Sequence, residues 1–111
     1  MKNNQCVWLV LVRVSALPGN TQTFDSGSQL LVQCLFPPDP LPQVLAKLPG
    51  FLEENYFELI DHEMAEKYRL ADPHQTYPTE SLREWMTGVS RSGRPRLGMF
   101  FYCDAEAQPL G

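Results

Sequence analysis

Residues that carry metal or nucleophile chemistry are scarce in this chain. Its 111 residues include two histidines, His62 and His74, and three cysteines, Cys6, Cys34 and Cys103. No Cys-x-x-Cys pair, zinc-knuckle spacing, His-x-His or His-Glu-x-x-His occurs, so no ligand set for a metal centre is expected. The odd cysteine count leaves no closed disulfide framework and points to a reducing, cytoplasmic setting. Each cysteine sits in an apolar run and is read as a small core hydrophobe. Basic residues are also few. Nine Lys and Arg stand against 13 Asp and Glu, a formal net charge of −4. That balance argues against nucleic-acid binding, which needs cations to displace counterions from phosphates. It argues equally against charge-driven docking on an anionic membrane. No apolar run approaches the roughly 20 residues of a membrane span. The apolar start, Cys6 to Val12, resembles a signal peptide, but Arg13 interrupts it before the small residues that would be cleaved, so it is read as a strand.

Hydrophobic residues, by contrast, make up 43% of the chain and charged residues 20%. That is globular content, and the length suits one domain of roughly 100–150 residues. The domain is expected over residues 1–104, with a frayed tail over 105–111.

The apolar pattern orders the elements. Cys6 to Ser15 and Ser28 to Phe36 read as strands rich in Val and Leu. Turn residues separate them, Pro18-Gly19-Asn20 and Asp25-Ser26-Gly27. Pro37-Pro38-Asp39-Pro40 stops the second strand. A helix follows over 41–55, with Asp39 as its expected cap and a kink or restart at Pro49-Gly50. Asn55 is its expected left-handed terminator. Residues 56–68 are ambiguous. Phe57 and Leu59 around Glu58 suggest a strand, whereas Phe57, Ile60, Met64 and Tyr68 suggest a helix. A strand over 57–63 is favoured, because a helix should return the chain to the sheet it covers. Thr79 caps a second helix over 79–89, with Leu82, Trp85, Met86 and Val89 as its apolar face. A last strand covers 96–104.

The order ββαβαβ defines an α+β two-layer sandwich: about four strands in one sheet, with two helices mainly on one face. The architecture resembles ferredoxin-like sandwiches, whose own order is βαββαβ, and departs from it at the second element.

The strands carry more apolar residues than one covered face needs. Val7, Leu9 and Leu11 back the apolar row of Trp8, Val10 and Val12, and Leu31 and Leu35 back Leu30, Val32 and Cys34. In the last strand Phe100 and Tyr102 oppose Leu97, Met99 and Phe101. Two helices on one face would leave Val7, Leu9, Leu11, Leu31, Leu35, Phe100 and Tyr102 exposed, a patch that soluble monomers rarely show. A second copy is the simplest cover, so a homodimer is expected.

Charge is uneven too. Glu53, Glu54, Glu58, Asp61, Glu63 and Glu66 are followed later by Arg83, Arg91, Arg94 and Arg96. The acidic stretch, above all Glu54, Glu58, Asp61, Glu63 and Glu66, would orient a basic protein partner. The loop with Arg91, Arg94 and Arg96 is an anion-binding candidate, since arginine forks match phosphate and carboxylate. No Ser-His-Asp order or nucleophile elbow appears, and no cofactor motif is present, so catalysis is the least supported reading. The sequence therefore points to an accessory or inhibitory protein-binding module, of the kind that neutralises a basic toxin or nuclease. The alternative is a small-molecule or anion-binding regulatory domain.

Overall fold

The computed structural model describes residues 6–19 and 27–102. Cys103, the tail and the turn residues Asn20, Asp25 and Ser26 lie outside the described residues. The elements are β1 (Cys6–Ala16), β2 (Gln29–Phe36), α1 (Leu41–Glu54), β3 (Phe57–Arg69), α2 (Glu80–Ser92) and β4 (Arg96–Tyr102). The expected order ββαβαβ is the observed one, and residues 57–69 form a strand.

The strands build one antiparallel sheet in the order β3-β1-β2-β4. β2 and β3 both run antiparallel to β1, so they are parallel to each other and need a crossover, which α1 supplies. β3 and β4 are the two edges, and α2 joins them.

The helices lie on opposite faces, which corrects the expectation of one covered face. Burial along β1 changes parity partway. Val10, Val12, Val14 and Ala16 are buried on one side, whereas Val7 and Leu9 are buried on the other. The first set packs with Leu30, Val32, Cys34 and Phe36 of β2 against Val44, Leu48 and Leu52 of α1. The second packs with Leu35 and Tyr68 against Leu82, Met86 and Val89 of α2. α2 buries its apolar stripe on the reverse side. Strands apolar on both sides follow from that, and each fully buried Leu here stabilises by about 1.5–3 kcal/mol. The ferredoxin-like layering is not what forms.

α1 also departs from expectation at both ends. Pro40 is its N-cap, and no side chain caps it. The Asp39 carboxylate instead accepts from Lys47 Nζ at 3.2 Å, and the Asp39 carbonyl accepts from the Trp8 indole at 2.8 Å. The helix runs unbroken through Pro49. At its end Asn55 keeps a negative φ, and Tyr56 takes the left-handed conformation with φ 63°. The Tyr56 carbonyl accepts from the Leu17 amide at 2.9 Å, which ties this turn to the end of β1.

α2 begins as expected. Thr79 caps it, its hydroxyl accepting from the Leu82 amide at 3.0 Å. Gly93, with φ 73°, ends it, a backbone shape that glycine adopts without a Cβ penalty.

Candidate binding surfaces

Among the described residues, α2 covers one end of the reverse side of the sheet. α2 lies over Val7, Leu9 and Leu35, which are buried. Beyond them, on the same side of β1 and β2, Leu11, Arg13, Ser15, Leu31 and Gln33 are only half-buried. The ladder sets their neighbours. Leu11 is paired with Met64 of β3, and Leu31 with Phe101 of β4. Directly paired residues share a face. Leu11–Met64 and Leu31–Phe101 thus form two apolar pairs that meet diagonally as a strip across the sheet, with Gln33 opposite Leu11 and Arg13 opposite Leu31; Met64 is 43% and Phe101 41% exposed.

Two irregularities in β3 decide what borders that strip. The register against β1 shifts between Leu11 and Val12 and again between Arg13 and Val14. Each shift sets one extra β3 residue into the strand, Glu63 and then Ile60, as a β-bulge does. The parity of β3 therefore changes twice. Glu58, Asp61 and Glu66 pair with Ser15, Arg13 and Leu9, and so occupy the same side as Met64. Glu63, at one bulge, accepts from Arg13 Nε at 3.3 Å. Four of the five acids expected to face a partner are thus gathered along one edge of the strip. The fifth, Glu54, is exposed in the last turn of α1 and belongs to a different part of the surface.

The homodimer set is redistributed. Val7, Leu9 and Leu35 are buried beneath α2 and are not part of the surface. Leu11 and Leu31 remain on the uncovered half. Phe100 lies on the α1 side, its ring 5.7 Å from that of Phe57. Tyr102 is paired with Leu30 in the ladder. The cause is a register shift in β4: Gly98 and Met99 both stand opposite Gln33, so Leu97 and Phe100 share a side. Gln33 Oε1 accepts from the Met99 amide at 3.0 Å and satisfies the backbone group that this shift frees.

The three arginines of the loop lie in different surroundings. Arg96 lies over the Trp85 ring, 4.8 Å from its centroid, and its Nε donates to the Leu97 carbonyl at 2.8 Å. Arg94 is exposed at the end of α2, its amide bonded to Ser92 Oγ at 3.1 Å. Arg91 turns up elsewhere, in a groove of about 260 Å³ between α2 and the segment joining β3 to it. Leu70, Tyr77, Arg83, Thr87, Ser90 and Arg91 line the groove. Sequence reasoning missed it, although Arg83, Thr87 and Arg91 recur every four residues, the spacing that stacks side chains along one side of a helix.

The remaining candidates are unremarkable in position. His62 and His74 are exposed on β3 and in the β3–α2 connection. Among the described residues no three His, Cys, Asp or Glu side chains converge as metal ligands. Cys34 is buried in the α1-side core, which pushes its thiol up to about 12, and Cys6 is half-buried; both are free thiols. Trp8 is half-buried with Lys67 Nζ 5.2 Å from its ring centroid. Tyr77 stacks on Tyr68 at 5.5 Å.

A four-stranded antiparallel sheet with one helix on each face, the second helix covering one end of its face among the described residues, is the class that fold and surface define. The chain matches no family model, no curated protein and no solved structure. Among the described residues, no helix is long and apolar enough to cross a membrane.

Proposed function

We propose that this protein is a binding module, accessory or inhibitory in kind, whose partner is another protein with apolar side chains flanked by Lys and Arg. The observation that carries this reading is the half of the α2-side face that no helix covers among the described residues. There Met64 and Phe101 stand exposed beside Leu11 and Leu31, and Glu58, Asp61, Glu63 and Glu66 run along one edge. Apolar centres supply affinity, and charged borders supply orientation and speed of encounter. Arg13 is the one cation within this area among the described residues, and Glu63 already pairs with it. The remaining field is acidic and complements a basic surface. A second copy of the chain is a poorer match, since it carries the same net charge of −4.

Selection from a displayed library of random peptides tests the reading. Enrichment of sequences combining Leu, Phe or Met with Lys and Arg is expected. Their binding should weaken steeply with salt, as exposed charges are screened beyond about 10 Å at 0.1 M. It should be lost in the double variant Glu58→Lys, Asp61→Lys and in Phe101→Ser. Enrichment of acidic or purely apolar sequences would sink the proposal. So would a two-copy mass by light scattering that reverts to one copy in Phe101→Ser, which would assign the strip to self-association.

A further inference from the structure

The groove beside α2 lies apart from the strip and its acidic border, and its chemistry is of the opposite sign. Arg83, Thr87, Ser90 and Arg91 project from one side of α2, and Tyr77 and Leu70 close the space from the connection that precedes it. Eight residues separate the two arginines, about 12 Å along a helix axis. Their long side chains can therefore reach inward from the two ends, with hydroxyl groups between them.

The cations are not consumed by the fold. Arg91 has no acidic partner among the described residues. Arg83 meets Glu80 at 3.4 Å with both side chains well exposed, a contact worth little in water. Asp72 is the other acid in the neighbourhood, and its charge acts on Tyr77. Thr87 donates its hydroxyl to the Arg83 carbonyl at 2.9 Å, which leaves its lone pairs, and not its proton, facing outward. The Tyr77 ring is fixed against Tyr68. Burial raises its phenol above the ordinary 10.0, Arg83 opposing and Asp72 adding, so the group remains a hydrogen-bond donor at neutral pH.

Two guanidinium forks plus the Tyr77 and Ser90 hydroxyls bring donors to the groove, whereas the Thr87 oxygen is a neutral acceptor and no carboxylate is among the lining residues. A phosphomonoester supplies the complement: about −1.5 to −2 charges and three strong acceptor oxygens, matched to the planar fork of arginine. The volume lies just below the roughly 300–1,000 Å³ of sites for drug-sized ligands, so the rest of the molecule must be small. We propose that this groove binds a small phosphomonoester, its phosphoryl group held between Arg83 and Arg91 with hydrogen bonds from Tyr77 and Ser90. The site is independent of the protein-binding reading, and either stands if the other fails.

Isothermal titration calorimetry with glycerol 3-phosphate, inorganic phosphate and glycerol tests this on the full chain. Saturable binding of glycerol 3-phosphate is expected, weaker binding of inorganic phosphate and none of glycerol. Arg91→Ala and Arg83→Ala should each weaken glycerol 3-phosphate by about tenfold or more, some 1.4 kcal/mol. Arg94→Ala, outside the groove, should leave it unchanged. No saturable binding of either phosphate probe would overturn the proposal. Equal losses in Arg94→Ala and Arg91→Ala would also overturn it, since they would mean diffuse surface charge. Tighter binding of a phosphoserine peptide than of glycerol 3-phosphate would assign the groove to a protein ligand instead.

Discussion

At Gly98 an added Cβ would lie 2.8 Å from Gln33 Oε1 and 3.0 Å from Gln33 Cβ. The first contact can be relieved by swinging the amide away, but that breaks its bond to the Met99 amide. The second cannot be relieved without moving backbone. Gly98→Ala is therefore expected to cost about 1–3 kcal/mol, as overpacking does, read as a lower urea midpoint. At Gly93 nothing lies within 4 Å of the added Cβ, and φ is 73°. There the expected loss, about 1–2 kcal/mol, is purely conformational.

Cys34 gives a pH dependence at the same scale. Burial raises its thiol from 9.0 to about 12. Between those values the unfolded chain has lost this proton and the folded chain keeps it. The unfolded state then binds fewer protons, so stability falls as pH rises from 9 towards 12. Cys34→Ala should flatten that fall in urea titrations taken at several pH values. In the native protein at pH 8, iodoacetamide should modify Cys6 well before Cys34, as read by peptide mass spectrometry, because the thiolate is the reactive form.

Among the elements, the two helices should respond oppositely to single changes. Thr79→Ala removes the hydroxyl that accepts from the Leu82 amide and should lower stability by about 0.5–2 kcal/mol. Pro49 sits exposed inside α1 and cannot donate to the helix ladder. Proline in a helix interior costs about 3 kcal/mol relative to Ala, so Pro49→Ala should raise the melting temperature.

Element order and type were legible from periodicity, capping and turn residues. Thr79 and the Leu82, Met86, Val89 stripe placed α2, and the Val-rich runs placed β1 and β2. β3 was hard to read for a physical reason. The Phe57, Ile60, Met64, Tyr68 spacing that suggests a helix marks no single side of the strand: Phe57 lies on the α1 side, Ile60 is at a bulge, and Met64 and Tyr68 lie on the other side. Bulges arise from pairing with β1 and leave no mark in the local sequence. The shift at Gly98 and Met99 misassigned Phe100 in the same way.

For the whole molecule, the apolar surplus on the strands was read correctly and its cover was not. Which face a helix takes depends on the path of its connection across the sheet, which composition does not encode. The consequence is a surface smaller than the sequence suggested: four apolar side chains where seven were expected, beside an acidic edge that also serves the fold. Charged residues and bulges on an edge strand discourage pairing with another chain's edge. β3 has both, whereas β4 beyond Arg96 has no charge.

Because the helices occupy opposite sides, the molecule has two separate cores that share only the sheet between them. The core under α2 is the smaller, with Val7, Leu9, Leu35 and Tyr68 as its sheet side chains. Two layers of unequal size should come apart in sequence. Amide hydrogen exchange in native buffer is therefore expected to show α2 opening as a unit while β1, β2 and α1 stay protected. Uniform exchange across all four would show a single cooperative block. An open α2 would bare Val7, Leu9 and Leu35, joining them to Leu11 and Leu31. The apolar ground would then run the length of the sheet, with α2 acting as a latch over half of it.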